Sequence, residues 1–154
     1  MAWQEFPSSG MISWMAENLI AGACLCGAVR FEVTGPLDRV AHCHCTICQR
    51  AHGAAFVTWA ALPNERVRVT AGDTQVVDYR SSEIGTRSFC RTCGSSMFCT
   101  LDTHPGVIDV ALGCLAPDHG AVPRAHMFWD DRAAWVELND RLPRLGGKSG
   151  QEPR

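Results

Sequence analysis

The sequence has no long apolar run, no basic tract and no positively charged start. No stretch of its 154 residues approaches the roughly 18 apolar residues that a membrane span needs. The formal net charge of −2 lacks the basic footprint that nucleic acid attracts. Residues 1–20 contain acids but neither Lys nor Arg, whereas a secretory signal begins with a basic segment. The sequence therefore predicts a protein that is not secreted and has no membrane or nucleic-acid partner.

Cysteine, in contrast, is abundant. Nine cysteines are an odd number, which would leave one thiol unpaired in an oxidised secreted protein. In a reducing cytosol, close cysteine pairs more often bind metal or carry out redox chemistry. The chain length suits one domain, and an apolar share of 46% can form a core without disulfides. We therefore expect a cytoplasmic protein whose cysteines bind metal.

Short alternating segments predict an all-β domain. Val29, Phe31 and Val33 alternate with charged residues and are followed by the turn Gly35-Pro36, a period-2 pattern typical of a strand. Further strands are expected over residues 54–62, around Val67 and Val69, and over 74–79, 84–90, 95–100 and 107–112. Many short strands with frequent Gly and Pro turns favour an all-β fold.

The ends of the chain are less regular than its middle. We expect residues 1–19 to form a flexible leader, with Met11 as an alternative start, and residues 20–143 to form the metal-binding domain. The small polar residues that follow predict a disordered tail over 144–154.

Seven of the nine cysteines fall into three clusters, Cys24-Leu-Cys26-Gly27, Cys43-His-Cys45-Thr-Ile-Cys48 and Cys90-Arg-Thr-Cys93-Gly94. The third cluster is a knuckle whose two thiolates can face one metal ion, and its glycine gives the chain freedom to leave the turn. A closed structural zinc site needs four ligands, so a second pair is required. The first cluster, also followed by Gly, is the natural complement.

The middle cluster has a different character. Cys43, Cys45 and Cys48 can bind one metal ion from three sides, and no protein ligand is evident for the fourth position. An open position is typical of catalytic zinc. Cys99 is an alternative fourth ligand, although its apolar strand context and that of Cys114 favour buried inert thiols.

Histidines offer further candidates near the open site. His52 follows the middle cluster and His126 lies in Arg124-Ala-His-Met-Phe-Trp129, so either residue is a candidate for lining the site. His104 and His119 are more typical of polar packing residues.

Two other chemistries use close cysteine pairs. Cys90 and Cys93 have the spacing of a redox dithiol, but the strand-helix-strand context of a thioredoxin site is missing. The cluster spacings do not match the common ferredoxin runs either. Zinc is therefore the favoured cofactor, with two ions per chain.

The three clusters, in this order, resemble the glutathione-dependent formaldehyde-activating enzyme and centromere protein V family. The resemblance covers residues 20–143. The matching segments are Gly22-Ala-Cys-Leu-Cys-Gly27 with Val29-Arg-Phe31, His42-Cys-His-Cys-Thr-Ile-Cys-Gln-Arg50 with Gly53-Ala-Ala-Phe56, Phe89-Cys-Arg-Thr-Cys-Gly-Ser-Ser-Met-Phe98 and His126-Met-Phe-Trp-Asp-Asp-Arg-Ala-Ala-Trp135.

The resemblance implies a two-zinc β domain, often called a β-tent, built of short antiparallel strands and cysteine knuckles. By position, the family's structural ligands match Cys24, Cys26, Cys90 and Cys93, and its catalytic ligands match Cys43, Cys45 and Cys48. The implied activity joins formaldehyde to glutathione and gives S-hydroxymethylglutathione, a carbon–sulfur lyase reaction in reverse. Because the family is broad, its motifs support the metal chemistry more than the substrate.

Charge favours a thiol as the substrate of the open site. Zinc with three thiolates carries a net charge of about −1, which makes it a poor generator of hydroxide. Such a zinc ion is better suited to hold an exogenous thiol as thiolate near pH 7. The bound thiolate would then attack an aldehyde placed beside it. Binding of the aldehyde oxygen first is an alternative order.

Partners are less well determined by the sequence. Arg50 and Arg91 are the cations nearest the clusters in sequence and are candidates for the carboxylates of glutathione, although exposed surface positions suit them equally. The alternative function is a non-catalytic zinc-stabilised module that binds a protein partner, and homo-oligomerisation stays open.

Overall fold

The structure of the protein is a computed structural model that describes residues 19–154. The predicted leader lies outside the described residues apart from Leu19. The strands are β1 (Leu19–Ala23), β2 (Arg30–Thr34), β3 (Val40–Cys43), β4 (Val57–Pro63), β5 (Val67–Ala71), β6 (Val76–Arg80), β7 (Gly85–Cys90), β8 (Ser96–Leu101), β9 (Val107–Ala111), β10 (His126–Met127), β11 (Leu145–Gly146) and β12 (Glu152–Pro153), and the helix is α1 (Thr46–His52).

The strands form two main sheets and one small one. β1, β2 and β5 make a three-stranded antiparallel sheet. The larger sheet has seven strands in the order β10-β3-β4-β9-β8-β7-β6, antiparallel except where β10 runs parallel to β3. β11 and β12 pair separately. Short, mostly antiparallel strands thus confirm the predicted all-β class.

The main core joins the two large sheets. Phe31 of β2 packs edge-to-face on Phe98 of β8, with ring centroids 4.8 Å apart. Val33, Leu62 and Val110 are buried in the same apolar cluster. Burial of one such side chain contributes about 1.5–3 kcal/mol, so this contact fixes the sheets against each other.

Helix α1 was not predicted from the sequence. Its short polar run between β3 and β4 lacks the apolar period of a longer helix. The helix begins after Cys45, whose sulfur accepts the backbone N–H of Cys48, and ends at His52, before Gly53 with φ 58°. Over residues 19–154, no helix is long and apolar enough to cross a membrane.

The end of the chain differs from the predicted disordered tail. β11 and β12 form a hairpin-like pair that returns to the domain. Gly147 N–H donates to Asp130, and Phe128 N–H donates to the Gly150 carbonyl at 3.0 Å. These hydrogen bonds offset the low apolar content, which is why composition alone gave the wrong expectation.

Candidate metal centres and active site

The first and third cysteine clusters meet in space. Cys24 and Cys26 lie in the turn between β1 and β2, Cys90 ends β7, and Cys93 lies in the turn before β8. The four sulfurs all lie within 4.8 Å of one another, with Cys24 and Cys26 at 3.6 Å and Cys26 and Cys90 at 3.9 Å. Tetrahedral zinc with Zn–S bonds of about 2.3 Å places its sulfurs about 3.8 Å apart. The group therefore fits a closed four-thiolate metal site.

Hydrogen bonds arrange this group from both sides. The backbone N–H of Val29 donates to Cys24 Sγ at 3.3 Å. Ser95 Oγ lies 3.3 Å from Cys93 Sγ and accepts the Leu25 N–H at 3.0 Å, so it joins the two turns. Hydrogen bonds from Ser95 lower the pKa of Cys93 to about 5. The four-cysteine group links the three-stranded sheet to the seven-stranded sheet beside the main core.

The three cysteines of the middle cluster form a second group. Cys43 ends β3, Cys45 precedes α1, and Cys48 lies in its first turn, so one strand-to-helix junction carries all three. Their sulfurs lie within 4.8 Å of one another. Among residues 19–154, no fourth Cys, His, Asp or Glu completes this group. The donor set thus fits a metal ion with one position left for another ligand.

Cys48 receives hydrogen bonds from two buried side chains. Trp59 Nε1 donates to its sulfur at 3.4 Å, and Arg87 Nη2 donates at 3.3 Å. Hydrogen bonds from Cys43 and Cys45, then from Trp59, and the charge of Arg87 lower the pKa of Cys48 to about 2. Such partners hold a ligating thiolate in place and tune its basicity.

A cavity of about 270 Å³ opens beside the three-cysteine group. Cys43, Cys45 and Cys48 all contribute to its wall. Cys99 lines the same cavity but is not part of the group, and burial raises its pKa to about 12. This environment is typical of an inert thiol.

The charged groups of the cavity were not found from the sequence. Its wall contains Arg39, Arg87 and Asp109, whereas Arg50 and Arg91 do not line it. Burial raises the pKa of Asp109 to about 7, and the nearby Arg39 opposes this shift. Asp109 is a lone acid inside the apolar run 107–112, and this is the one sequence signal that could have revealed it.

Histidine placement also differs from expectation. His52 and His126 do not line the cavity, while His104 does. His126 is fully buried, and its Nε2 lies 3.0 Å from Asp140. Its Nδ1 lies 2.9 Å from His44 Nε2, and His44 stands between two cysteines of the cluster. The hydrogen bonds that connect Asp140, His126 and His44 therefore anchor the strand-to-helix junction that carries the three thiols.

Phe128 covers one side of the cavity in a strained conformation. Among the described residues, it is the one non-glycine residue with positive φ, at 54°. Left-handed backbone costs a residue with a side chain about 1–2 kcal/mol. A Cβ atom at Gly150 would collide with the Phe128 ring, so the chain end packs directly on it. The final residues thus help to form the cavity, which Gln151 also lines.

Fold and site together define a small β domain with one four-cysteine group and one three-cysteine group, each of which could hold a metal ion. The family model for the glutathione-dependent formaldehyde-activating enzyme matches residues 19–131, and the chain belongs to this family. The match leaves one residue of the cavity wall, Gln151, outside the family region.

Individual relatives agree with this membership. A Halomonas elongata protein, provisionally named a glutathione-dependent formaldehyde-activating enzyme, is 26% identical over 130 residues, which cover 80% of this chain and 83% of the relative. An uncharacterized lyase of Schizosaccharomyces pombe is 26% identical over 77 residues, covering 50% of this chain and 54% of the relative. A crystal structure of a Rhodobacter sphaeroides protein aligns with a TM-score of 0.55 and 29% identity, covering 67% of this chain and 97% of that one.

Proposed function

We propose that the protein is a zinc-dependent carbon–sulfur lyase that reversibly joins a small thiol to an aldehyde. Glutathione and formaldehyde are the first candidate substrates, because both compounds appear in the names of the family and of the Halomonas elongata relative. The product of these two substrates would be S-hydroxymethylglutathione. The observation that carries the proposal is a three-thiol group in the wall of a cavity, for which residues 19–154 provide no fourth protein ligand.

Each cysteine group would hold one zinc ion in this proposal. The ligands are Cys24, Cys26, Cys90 and Cys93 at the structural site and Cys43, Cys45 and Cys48 at the catalytic site. Zinc at the catalytic site would supply a position where a substrate thiol is kept as thiolate near pH 7, although a free thiol has a pKa of about 8.5.

Arg87 balances charge at the catalytic group. Its guanidinium is only 8% exposed and donates to both Cys48 Sγ and Ser81 Oγ. A buried cation offsets the excess negative charge of three thiolates around a divalent ion. Arg87 therefore acts as a positioning residue that keeps the Cys48 sulfur ionised and directed at the metal site.

Asp109 is the group that moves the proton. The reaction forms one C–S bond, and the proton that leaves the thiol ends on the carbonyl oxygen. Among the described residues, Asp109 is the one carboxylate in the cavity wall, and its pKa of about 7 suits both halves of the transfer. As a carboxylate it accepts the thiol proton, and as an acid it returns that proton to the oxygen.

The test combines metal content, thiol binding and rate. The purified chain is expected to contain two zinc ions, and a cobalt-substituted sample should change its charge-transfer absorbance when glutathione is added. Cys45→Ser should abolish the change, whereas Cys114→Ser, a cysteine outside both groups, should retain it. Exchange NMR measures the rate of S-hydroxymethylglutathione formation against the uncatalysed reaction.

The outcomes separate an enzyme from a structural protein. Acceleration of the addition that is lost in Cys45→Ser supports the lyase. If several thiols leave the cobalt spectrum unchanged and no addition is accelerated, the non-catalytic zinc-stabilised binding module takes its place.

A further inference from the structure

The cavity is much larger than a formaldehyde molecule. Its volume is about 270 Å³. An apolar protein cavity of about 150 Å³ already accommodates benzene. Formaldehyde would leave most of this space empty, and an empty apolar cavity lacks the packing contacts that stabilise a bound ligand. The volume thus fits a substrate group of about six carbons or more.

The walls of the cavity are mainly apolar and come from many parts of the fold. Trp59 of β4, Leu101 of β8 and Val107 of β9 contribute side chains from the larger sheet. Ile47 of α1 and Phe128, which follows β10, line the cavity as well. Because these residues line the same cavity as the three cysteines, an apolar chain attached to a reacting carbon would contact them.

The polar groups in the wall are not arranged for glutathione. Glutathione carries two carboxylates and an ammonium group, and burial of an unpaired charge costs several kcal/mol or more. Arg87 is already engaged with Cys48 and Ser81, and Arg39 lies near the half-buried Asp109. No other Lys or Arg among residues 19–154 lines the cavity. The charged parts of a thiol such as glutathione are therefore better placed in solvent at the mouth.

We infer that the cavity binds the apolar chain of an alkyl or aryl aldehyde, so that the aldehyde substrate is larger than formaldehyde. The inference rests on the proposed function and specifies its substrate class. The aldehyde and a thiol combine into a hemithioacetal: the carbon–sulfur bond forms, the carbonyl π bond opens, and the thiol proton passes to the carbonyl oxygen. No oxidant or further reactant is needed.

An aldehyde series with the zinc-loaded protein tests this inference. With glutathione fixed, kcat/KM for formaldehyde, propanal and hexanal is divided by the uncatalysed rate constant of each. The ratio should rise about fourfold for each added methylene, which corresponds to the 0.8 kcal/mol of its burial. A flat or falling ratio overturns the inference. A second series compares ethanethiol with hexanethiol while formaldehyde is kept fixed. If the ratio rises with chain length only in this thiol series, the inference is also overturned.

A variant pair connects the effect to the cavity wall. Leu101→Ala should lower the hexanal-to-formaldehyde ratio by about fivefold to tenfold, since it removes apolar contact area. Leu19→Ala is the matched control, because Leu19 is 59% exposed on β1 and lies outside the cavity. Melting temperature and zinc content verify that both variants fold. A ratio that does not fall in folded Leu101→Ala contradicts the inference.

A binding measurement separates this inference from the lyase proposal. Formamide, propanamide and hexanamide keep a carbonyl group but do not add thiols, and calorimetry reports their affinity. If no aldehyde addition is accelerated, the lyase proposal fails, yet affinity that rises with chain length still supports an apolar carbonyl ligand. Equal affinity for the three amides overturns the inference, whatever the outcome of the rate measurements.

Discussion

Arg87→Met probes the coupling between a buried cation and the three-cysteine group. The substitution keeps an unbranched apolar stem but removes the guanidinium that donates to Cys48 Sγ at 3.3 Å. A hydrogen bond to a charged group contributes about 1.5–3 kcal/mol, which corresponds to about 10-fold to 150-fold in an equilibrium constant. Loss of a hydrogen-bond partner behind a metal ligand costs about 10-fold to 100-fold in metal affinity. Since the two scales agree, we expect zinc affinity at this group to fall by one to two orders of magnitude.

Competition with a chromophoric chelator measures this effect. The four-cysteine group is an internal control, because Arg87 makes no hydrogen bond to any of its cysteines. Arg80→Met on the neighbouring strand β6 is the matched control, since Arg80 pairs with Asp102 at the surface. The expected result is one weakened zinc ion in Arg87→Met and two unchanged ions in Arg80→Met. Unchanged affinity in Arg87→Met, or equal weakening of both of its sites, would refute the assigned role.

Three further predictions follow from the placement of particular residues. Cys93→Ser should give unfolded protein, because a four-thiolate zinc site contributes about 10–16 kcal/mol against a domain stability of about 5–15 kcal/mol. Cys45→Ser, in contrast, should stay folded and lose one zinc ion in metal analysis. Wild-type kcat/KM should rise as pH increases through about 7, where half-buried Asp109 ionises among Arg39, Arg87 and Cys48. This step should be absent from the pH profile of Asp109→Asn, which retains only the ionisation of the thiol, and an identical profile contradicts the role in proton transfer. Gly150→Ala should lower the free energy of unfolding by about 1 kcal/mol or more in denaturant titrations, because Gly150 has φ 68° and an added Cβ would strike the Phe128 ring. Gly113→Ala is the control, and its free energy of unfolding should change little because Gly113 has open space around it.

The sequence alone determined the class of fold and which cysteines form groups of possible metal ligands. The alternation at Val29, Phe31 and Val33 predicted a strand because side chains on a strand alternate between two faces. The cysteine clusters were recognisable because their ligands are close in sequence, where spacing reflects local geometry. The pairing of the first cluster with the third followed from the number of ligands that a closed zinc site requires.

Tertiary structure alone decided what surrounds those cysteines. Arg87 and Asp109 reach the cavity from β7 and β9, two strands distant in sequence from the Cys43–Cys48 segment. Sequence spacing carries no information on such neighbours, so Arg50 and Arg91, which are adjacent to cysteines in the chain, were chosen in their place. Burial then sets the chemistry, because it raises the pKa of Asp109 to about 7, whereas an exposed aspartate would be ionised throughout the neutral range.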